Sequence, residues 1–206
     1  MKRLVIFDFD GVIADTMVGL EQLALDTLVS YYGCSRAEAQ NKYEDTIGIP
    51  FAKQLEKLFP GNLINLHAAI EYNRKKHIIF WNSMPFRDAI WIIARLRNDE
   101  RRCSVAVVSA TESDIIKKFL AKHNIKVDWI GGIEMGHKEA QIVYCIDDGS
   151  FDRDEAIFFG DSVHDSDCAF RVGVTFCGVV RDGKQPFYKR YTSDLRDALW
   201  IISQLS

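Results

Sequence analysis

The chain of 206 residues lacks several things, and each lack excludes a class of protein. It has no excess of basic charge: 26 Lys and Arg against 29 Asp and Glu leave a formal net charge of −3. A general nucleic-acid binder needs a cationic face against phosphate, so no nucleic-acid partner is expected. No apolar run approaches the length of a membrane span, and the first residues read as a strand, not a signal peptide. No membrane partner is therefore expected either. Cysteines are few, odd in number and scattered, at Cys34, Cys103, Cys145, Cys168 and Cys177, without a C-x-x-C pair. That pattern fits reduced thiols packed as small apolar residues, and a cytoplasmic, monomeric protein is the expectation. Internal repeats and low-complexity segments are absent too. With 48% hydrophobic residues, the chain can build a sizeable core without disulfides or a structural metal.

Against these absences stands one dense stretch, Leu4-Val5-Ile6-Phe7-Asp8-Phe9-Asp10-Gly11-Val12-Ile13-Ala14-Asp15-Thr16. Its apolar start, rich in Val, Ile and Phe, is too short for a helix and predicts a buried parallel strand. The run breaks into two aspartates, two residues apart, at a glycine turn. Open α/β sheets bind ligands at the carboxyl ends of their strands, which is where this pair falls. Carboxylates that close repel one another, so a cation or a shared proton is expected nearby. Taken alone, the pair reads equally well as a polar turn.

From Asp15 to Trp81 nothing alternates like a strand. Helices are predicted at about 16–32, 36–45, 51–59 and 63–80, with Ser35 and Glu38 forming a capping-box pattern. The loop between the second and third reads Thr46-Ile47-Gly48-Ile49-Pro50. Beyond Met84, strands predicted at 104–108, within 127–133, at 156–159 and at 174–180 alternate with helices. A Thr111–Asp114 cap pattern, a turn at 181–184 and a helix from about Asp194 complete the chain. Alternation of this kind predicts a doubly wound, Rossmann-like parallel sheet of the α/β class. The expected organisation is an α/β core, residues 1–14 and 82–206, with an all-helical cap domain, residues 15–81, inserted after the first strand.

Three predicted strands end in polar groups that such a sheet gathers at one edge. The first brings Asp8 and Asp10, the second Ser109, and the fourth Asp161 with Asp165 four residues on. Lys138 comes from the segment between the third and fourth strands. Oxygen donors at an open site suit Mg²⁺, which takes one or two carboxylates together with phosphate and water. A hydroxyl and an ammonium suit phosphate oxygens. A carboxylate beside both can act as a nucleophile. Singly, each residue has a plainer reading, as a helix cap, a solvated lysine or a turn aspartate. What raises the functional reading is that every piece follows a strand on the same edge.

In Asp8-Phe9-Asp10-Gly11-Val12, Val107-Val108-Ser109, Lys138 and Gly160-Asp161-Ser162-Val163-His164-Asp165, the chain resembles the haloacid dehalogenase-like superfamily, in its helical-cap branch of phosphoglycolate phosphatases and β-phosphoglucomutases. The resemblance implies a Mg²⁺-dependent phosphatase acting on a small phosphorylated metabolite through an aspartyl-phosphate. By it, Asp8 attacks phosphorus and Asp10 protonates the leaving group, then activates water. Asp8, the backbone carbonyl of Asp10, and Asp161 hold Mg²⁺, with Asp165 a ligand or the support of one. Ser109 and Lys138 bind the transferring phosphoryl group, and the cap loop Gly48, Ile49, Pro50 and Phe51 sets substrate specificity. Where the family usually has Lys-Pro, this chain has Lys138-Glu139. Asp10 argues against carbon–halogen hydrolysis, and Phe51 stands where phosphonate-cleaving relatives carry a lysine. The alternatives are a sugar-phosphate mutase, a phosphonate hydrolase, and a non-catalytic phosphate-binding protein.

Overall fold

A computed structural model describes residues 3–98, 103–181, 183 and 188–204. Contacts divide the chain into two compact units, Met1–Asp15 with Met84–Ser206, and Thr16–Ser83. The predicted turn at 181–184 includes residues 182 and 184, which lie outside the described residues.

The first unit is built on a parallel sheet, and the reason lies in its strands. β1 (Leu4–Asp8) is buried along its whole length, as a strand covered on both faces must be. It pairs on one side with β2 (Ser104–Val108) and on the other with β4 (Ala156–Gly160). β3 (Trp129–Gly131) extends the sheet beyond β2, and β5 (Thr175–Val179) and β6 (Tyr191–Thr192) extend it beyond β4. The order is β3-β2-β1-β4-β5-β6, all parallel. The chain thus runs outward one way from β1, then returns to its other side. A crevice opens at such a reversal, beyond the carboxyl ends of the strands.

Helices α5 (Arg87–Arg97), α6 (Ser113–Lys122), α7 (Lys138–Gly149), α8 (Val163–Val172) and α9 (Ala198–Ser203) belong to the same unit. Alternation along β1 sends Ile6 into a cluster with Ile142, Phe158 and Cys168, while Phe7 stacks on Phe159 at 5.3 Å between ring centroids. Beyond β1, Phe9 meets Phe119 edge to face at 5.2 Å. Burial of these rings and aliphatic chains, at about 1.5–3 kcal/mol each, is the main support of the platform. Cys145, Cys168 and Cys177 are buried among them, and burial pushes each thiol up to about 12, so they are inert packing groups.

The segment after β1 is a tight loop. The amides of Ile13 and Ala14 both donate to the Phe9 carbonyl, and Gly11 donates to Ala14. Gly11 has φ of 74°, a left-handed conformation that a side chain would strain. The chain leaves this unit at Asp15, whose amide donates to the carbonyl of Met84, where it returns.

The second unit holds α1 (Met17–Tyr32), α2 (Arg36–Glu44), α3 (Phe51–Leu58) and α4 (Ile64–Asn82). Gly33, at φ 65°, ends α1, and Ser35 and Glu38 close a reciprocal capping box at the start of α2. Tyr32 stacks on Phe59 and Phe51 on Tyr72, both at 3.9 Å, which ties α1 and α3 into the helical packing. No helix among the described residues is long and apolar enough to cross a membrane.

Candidate active site

Each candidate side chain stands at a chain position that the fold dictates. Asp8 is the last residue of β1, Ser109 follows β2, Asp161 follows β4, and Lys138 is the first residue of α7. Asp165 lies in the first turn of α8, where Ser162 is the N-cap. The Ser162 hydroxyl accepts from the Asp165 amide, and the Asp165 carboxylate accepts from the amide and hydroxyl of Ser162, at 3.1 and 2.7 Å. This capping box fixes the direction of the carboxylate. A Cβ on Gly160 would come within 2.6–2.8 Å of Asp165, so only glycine lets the end of β4 approach so closely.

The structure brings Asp8, Lys138, Asp161 and Asp165 together. Lys138 Nζ lies 2.9 Å from Asp8 Oδ1 and 2.5 Å from Asp165 Oδ1, and all three side chains are buried. Asp8, Asp161 and Asp165 each offer an oxygen, and the three oxygens lie within 4.8 Å of one another. Burial pushes the Asp8 carboxyl well above the usual carboxylate range; Asp165, Asp161 and Asp10 add to that, and Lys138 opposes it. Burial likewise takes Asp161 to about 7, helped by Asp165 and Asp10 against Lys138. For Lys138 burial acts downward, yet Asp165 and Asp8 outweigh it and hold the ammonium above its ordinary value. One ammonium does not balance three ionised carboxylates, which is why Asp8 and Asp161 are pushed toward the neutral acid. That imbalance, with an all-oxygen donor set, fits a divalent cation such as Mg²⁺.

Asp10 belongs to a different neighbourhood. Its Oδ2 accepts from the Thr111 hydroxyl at 2.9 Å and, more distantly, from the Ser109 hydroxyl at 3.4 Å. Thr111 was expected to cap α6. Instead Glu112 occupies the N-cap position without a side-chain bond, and the Thr111 hydroxyl is turned to Asp10. A hydroxyl serves a carboxylate better than a helix end does, because a charge-assisted bond is the stronger one.

Two further residues gave no signal in the sequence. Gln141, fully buried one turn beyond Lys138, accepts from the Ser109 amide and donates to the Ser109 carbonyl, both at 3.0 Å. It also donates to the carbonyl of Gly136. The end of β2 is thereby fastened to the helix that carries Lys138. Arg181 donates to the Val12 carbonyl at 2.9 Å and to Asp88 at 2.6 Å, and lies over Phe86, which steadies the loop after Asp10. Their partners are backbone groups and distant side chains, for which no local spacing exists.

The loop residues Gly48, Ile49, Pro50 and Phe51 lie in the second unit. Pro50 caps α3, and Gln54 donates to the Ile49 carbonyl while accepting from Thr46. The ring of Phe51 is engaged within that unit, stacked on Tyr72.

The family model of haloacid dehalogenase-like hydrolases matches residues 5–179. The chain belongs to that family. Among solved structures, a haloacid dehalogenase-like protein of Bacteroides fragilis is similar at TM-score 0.79 and 22% identity, over 96% of this chain and 100% of that one. A haloacid dehalogenase-like family hydrolase of Streptococcus pneumoniae gives 0.78 and 16%, over 97% and 98%. CbbY of Rhodobacter sphaeroides, solved in complex with phosphate, gives 0.73 and 14%, over 96% of each chain. At these identities the likeness is one of fold. No curated protein matches the chain.

Proposed function

We propose that the protein is a phosphatase that hydrolyses a small phosphorylated metabolite through an aspartyl-phosphate on Asp8, with Mg²⁺ as cofactor. One observation carries this reading: a buried ammonium and three converging carboxylates at a strand end, beside a fourth carboxylate that two hydroxyls hold. Charge of that kind in a dry site stabilises transferring phosphoryl groups by position and electrostatics.

Asp8 supplies the attacking oxygen; its ion pair with Lys138 favours the anion against the burial that favours the neutral acid, and a bound cation would favour the anion further. Lys138 and Ser109 receive the phosphoryl oxygens. Asp10, oriented by Thr111, donates a proton to the leaving oxygen and later takes one from water. Asp8, Asp161 and Asp165, with the main-chain carbonyl of Asp10, would hold the metal. When bound, it neutralises phosphate charge and polarises the phosphoryl group. Asp165 meanwhile fixes Lys138 at 2.5 Å, so it serves the ammonium as much as the metal.

The loop at 48–51 is assigned to leaving-group selection. It offers Gly48, Ile49, Pro50 and Phe51, with no cation, which gives a second phosphate little to bind. Water is therefore the assigned phosphoryl acceptor, not a sugar phosphate.

The test is release of inorganic phosphate from a chromogenic aryl phosphate and then from a panel of phosphorylated metabolites, with Mg²⁺ and with chelator. Metal-dependent release, reversible on adding metal back, supports the reading. A folded protein that binds phosphate yet releases none from any substrate would be a binding protein on this fold.

A further inference from the structure

Helix α4 is apolar on two opposite faces. One is accounted for: Ala68, Ala69, Tyr72 and Phe80 are buried. On the other lie Leu63, at the N-cap, with Leu66, Ile70, Ile78 and Trp81, each between 54 and 96% exposed. At 100° per residue these five fall within about 60° of a single line, opposite the buried face. Large exposed side chains scattered singly are ordinary, but a row of them along one helix, interrupted between Ile70 and Ile78 by Arg74 and His77, marks an interaction surface.

We propose that this stripe is the interface of a homodimer, in which α4 packs antiparallel against α4 of a second copy. The pattern is self-complementary about the level of residue 72. Positions equally distant from it pair across a two-fold axis: Leu63 with Trp81, Leu66 with Ile78, Ile70 with Arg74. A two-fold interface requires such a relation, because the same patch must serve both copies. Charge chooses the direction. On the exposed side the first half of the helix carries His67 and Glu71 and the second half Arg74, Lys75 and His77, while Lys76 is buried with its ammonium over the Phe80 ring. A parallel pair would set the basic half against itself. The antiparallel pair offsets the two Arg74 by four residues, about 6 Å along the axis, and brings each beside Glu71 of the other copy. Arg74 already reaches Glu71 of its own chain at 3.0 Å, so the dyad gathers two acids and two guanidiniums at the centre of an apolar strip.

The strip runs about 28 Å along the helix and falls short of the roughly 800 Å² per partner of a standard interface. A reversible dimer with a dissociation constant of roughly 10–100 µM is expected. The dimer is independent of the catalytic reading, since no α4 residue is assigned to the site.

Sedimentation velocity of the full chain, from about 1 to 200 µM, reads the equilibrium by mass action. The expected result is a shift from monomer to dimer across that range. Ile70→Lys, which faces Arg74, should weaken the dimer by tenfold or more; Ile70→Glu, facing the same Arg74, should weaken it distinctly less. Far-ultraviolet spectra, melting temperatures and turnover at low concentration should match the wild type in both variants, since position 70 is exposed. A monomer at every concentration would overturn the proposal and leave the stripe to another partner. Equal weakening by Lys and Glu would overturn the antiparallel register, and with it the dimer proposed.

Discussion

Around Asp8 the chain concentrates charge, whereas around Asp10, two residues on, it supplies hydroxyls. Asp8 shares a buried ammonium with Asp165 and lies against Asp161. Asp10 meets Thr111 and Ser109. Two carboxylates from one turn are thus set in different surroundings, and the proposed function gives them different work. The charged neighbourhood suits an anion that must stay ionised while burial opposes it, and suits a metal. The hydroxyl neighbourhood suits a group that must be aimed and must exchange a proton. If that division is right, substitutions in the two neighbourhoods should fail in different ways.

The largest effect should come from Asp8→Asn, which keeps the size of the side chain and removes its negative charge. Turnover should fall by about three orders of magnitude or more, because the step made by that oxygen has no substitute. The fold should survive, since Lys138 keeps its contact with Asp165. Near-normal phosphate release from a folded Asp8→Asn protein would remove Asp8 from its assigned role.

Next comes Lys138→Met, which should cost stability as well as activity. It leaves Asp8 and Asp165 buried without their shared cation, a loss of about 3–5 kcal/mol for a broken buried pair. The midpoint of urea unfolding, measured without metal, reports it. Added Mg²⁺ should recover part of the loss if the carboxylates ligate it. A midpoint like that of the wild type would mean that the ammonium is not what holds the cluster together.

A third effect follows from Asp161, whose carboxyl is at about 7 in the fold against an ordinary value of 3.8. A pKa raised by folding contributes stability that is fully present below the ordinary value and is lost as pH rises through the folded one. The metal-free protein should therefore lose a few kcal/mol between about pH 4 and pH 8, on the order of 10 °C in melting temperature for a domain of this size. Bound Mg²⁺ opposes the loss, so its stabilisation should be larger at pH 8 than at pH 5. Asp161→Asn should make the metal-free profile shallower, with Asp8, whose carboxyl is also raised by burial, carrying the remaining slope. Calorimetry across that range measures all three curves.

The sequence announces the charged neighbourhood far more clearly than the other. Asp8, Asp161 and Asp165 can be read off because each stands where an apolar strand runs out, or one turn into the following helix. The central place of β1 follows from its continuous apolar run. Lys138 is legible by its order between strands, but not its double engagement, which depends on how α7 lies against α8. Thr111 was misread because a threonine followed by an acid three residues on has the form of a helix cap, and local spacing cannot show a hydroxyl turned the other way. Gln141 and Arg181 act on main-chain carbonyls of distant segments, and a carbonyl carries no sequence signature. β6, two residues long, is too short for any periodicity to show. Glu139, where the family usually has proline, takes its place in the first turn of α7 and pairs with Arg171 at 2.6 Å, so the helix begins at the lysine without a proline to start it.

The smallest effect, and the one that sharpens the comparison most, belongs to Thr111. Thr111→Val keeps the volume and the branched shape of the side chain but removes the hydroxyl that donates to Asp10 Oδ2. The Ser109 hydroxyl, at 3.4 Å, is too far to replace that bond fully. Asp10 would then lose its aim, and the penalty should fall on proton transfer, not on binding. A turnover number lowered about tenfold with KM changed by less than about twofold is the expected split, as for an interaction felt mainly in the transition state. Thr111→Ser, which restores the hydroxyl, should recover most of the rate. A substrate whose leaving group needs no proton, such as an aryl phosphate with an acidic phenol, should be less sensitive to Thr111→Val than an alkyl phosphate. If KM rises instead, or if both substrates slow alike, Thr111 belongs with the phosphate-binding groups and the boundary between the two neighbourhoods must be redrawn.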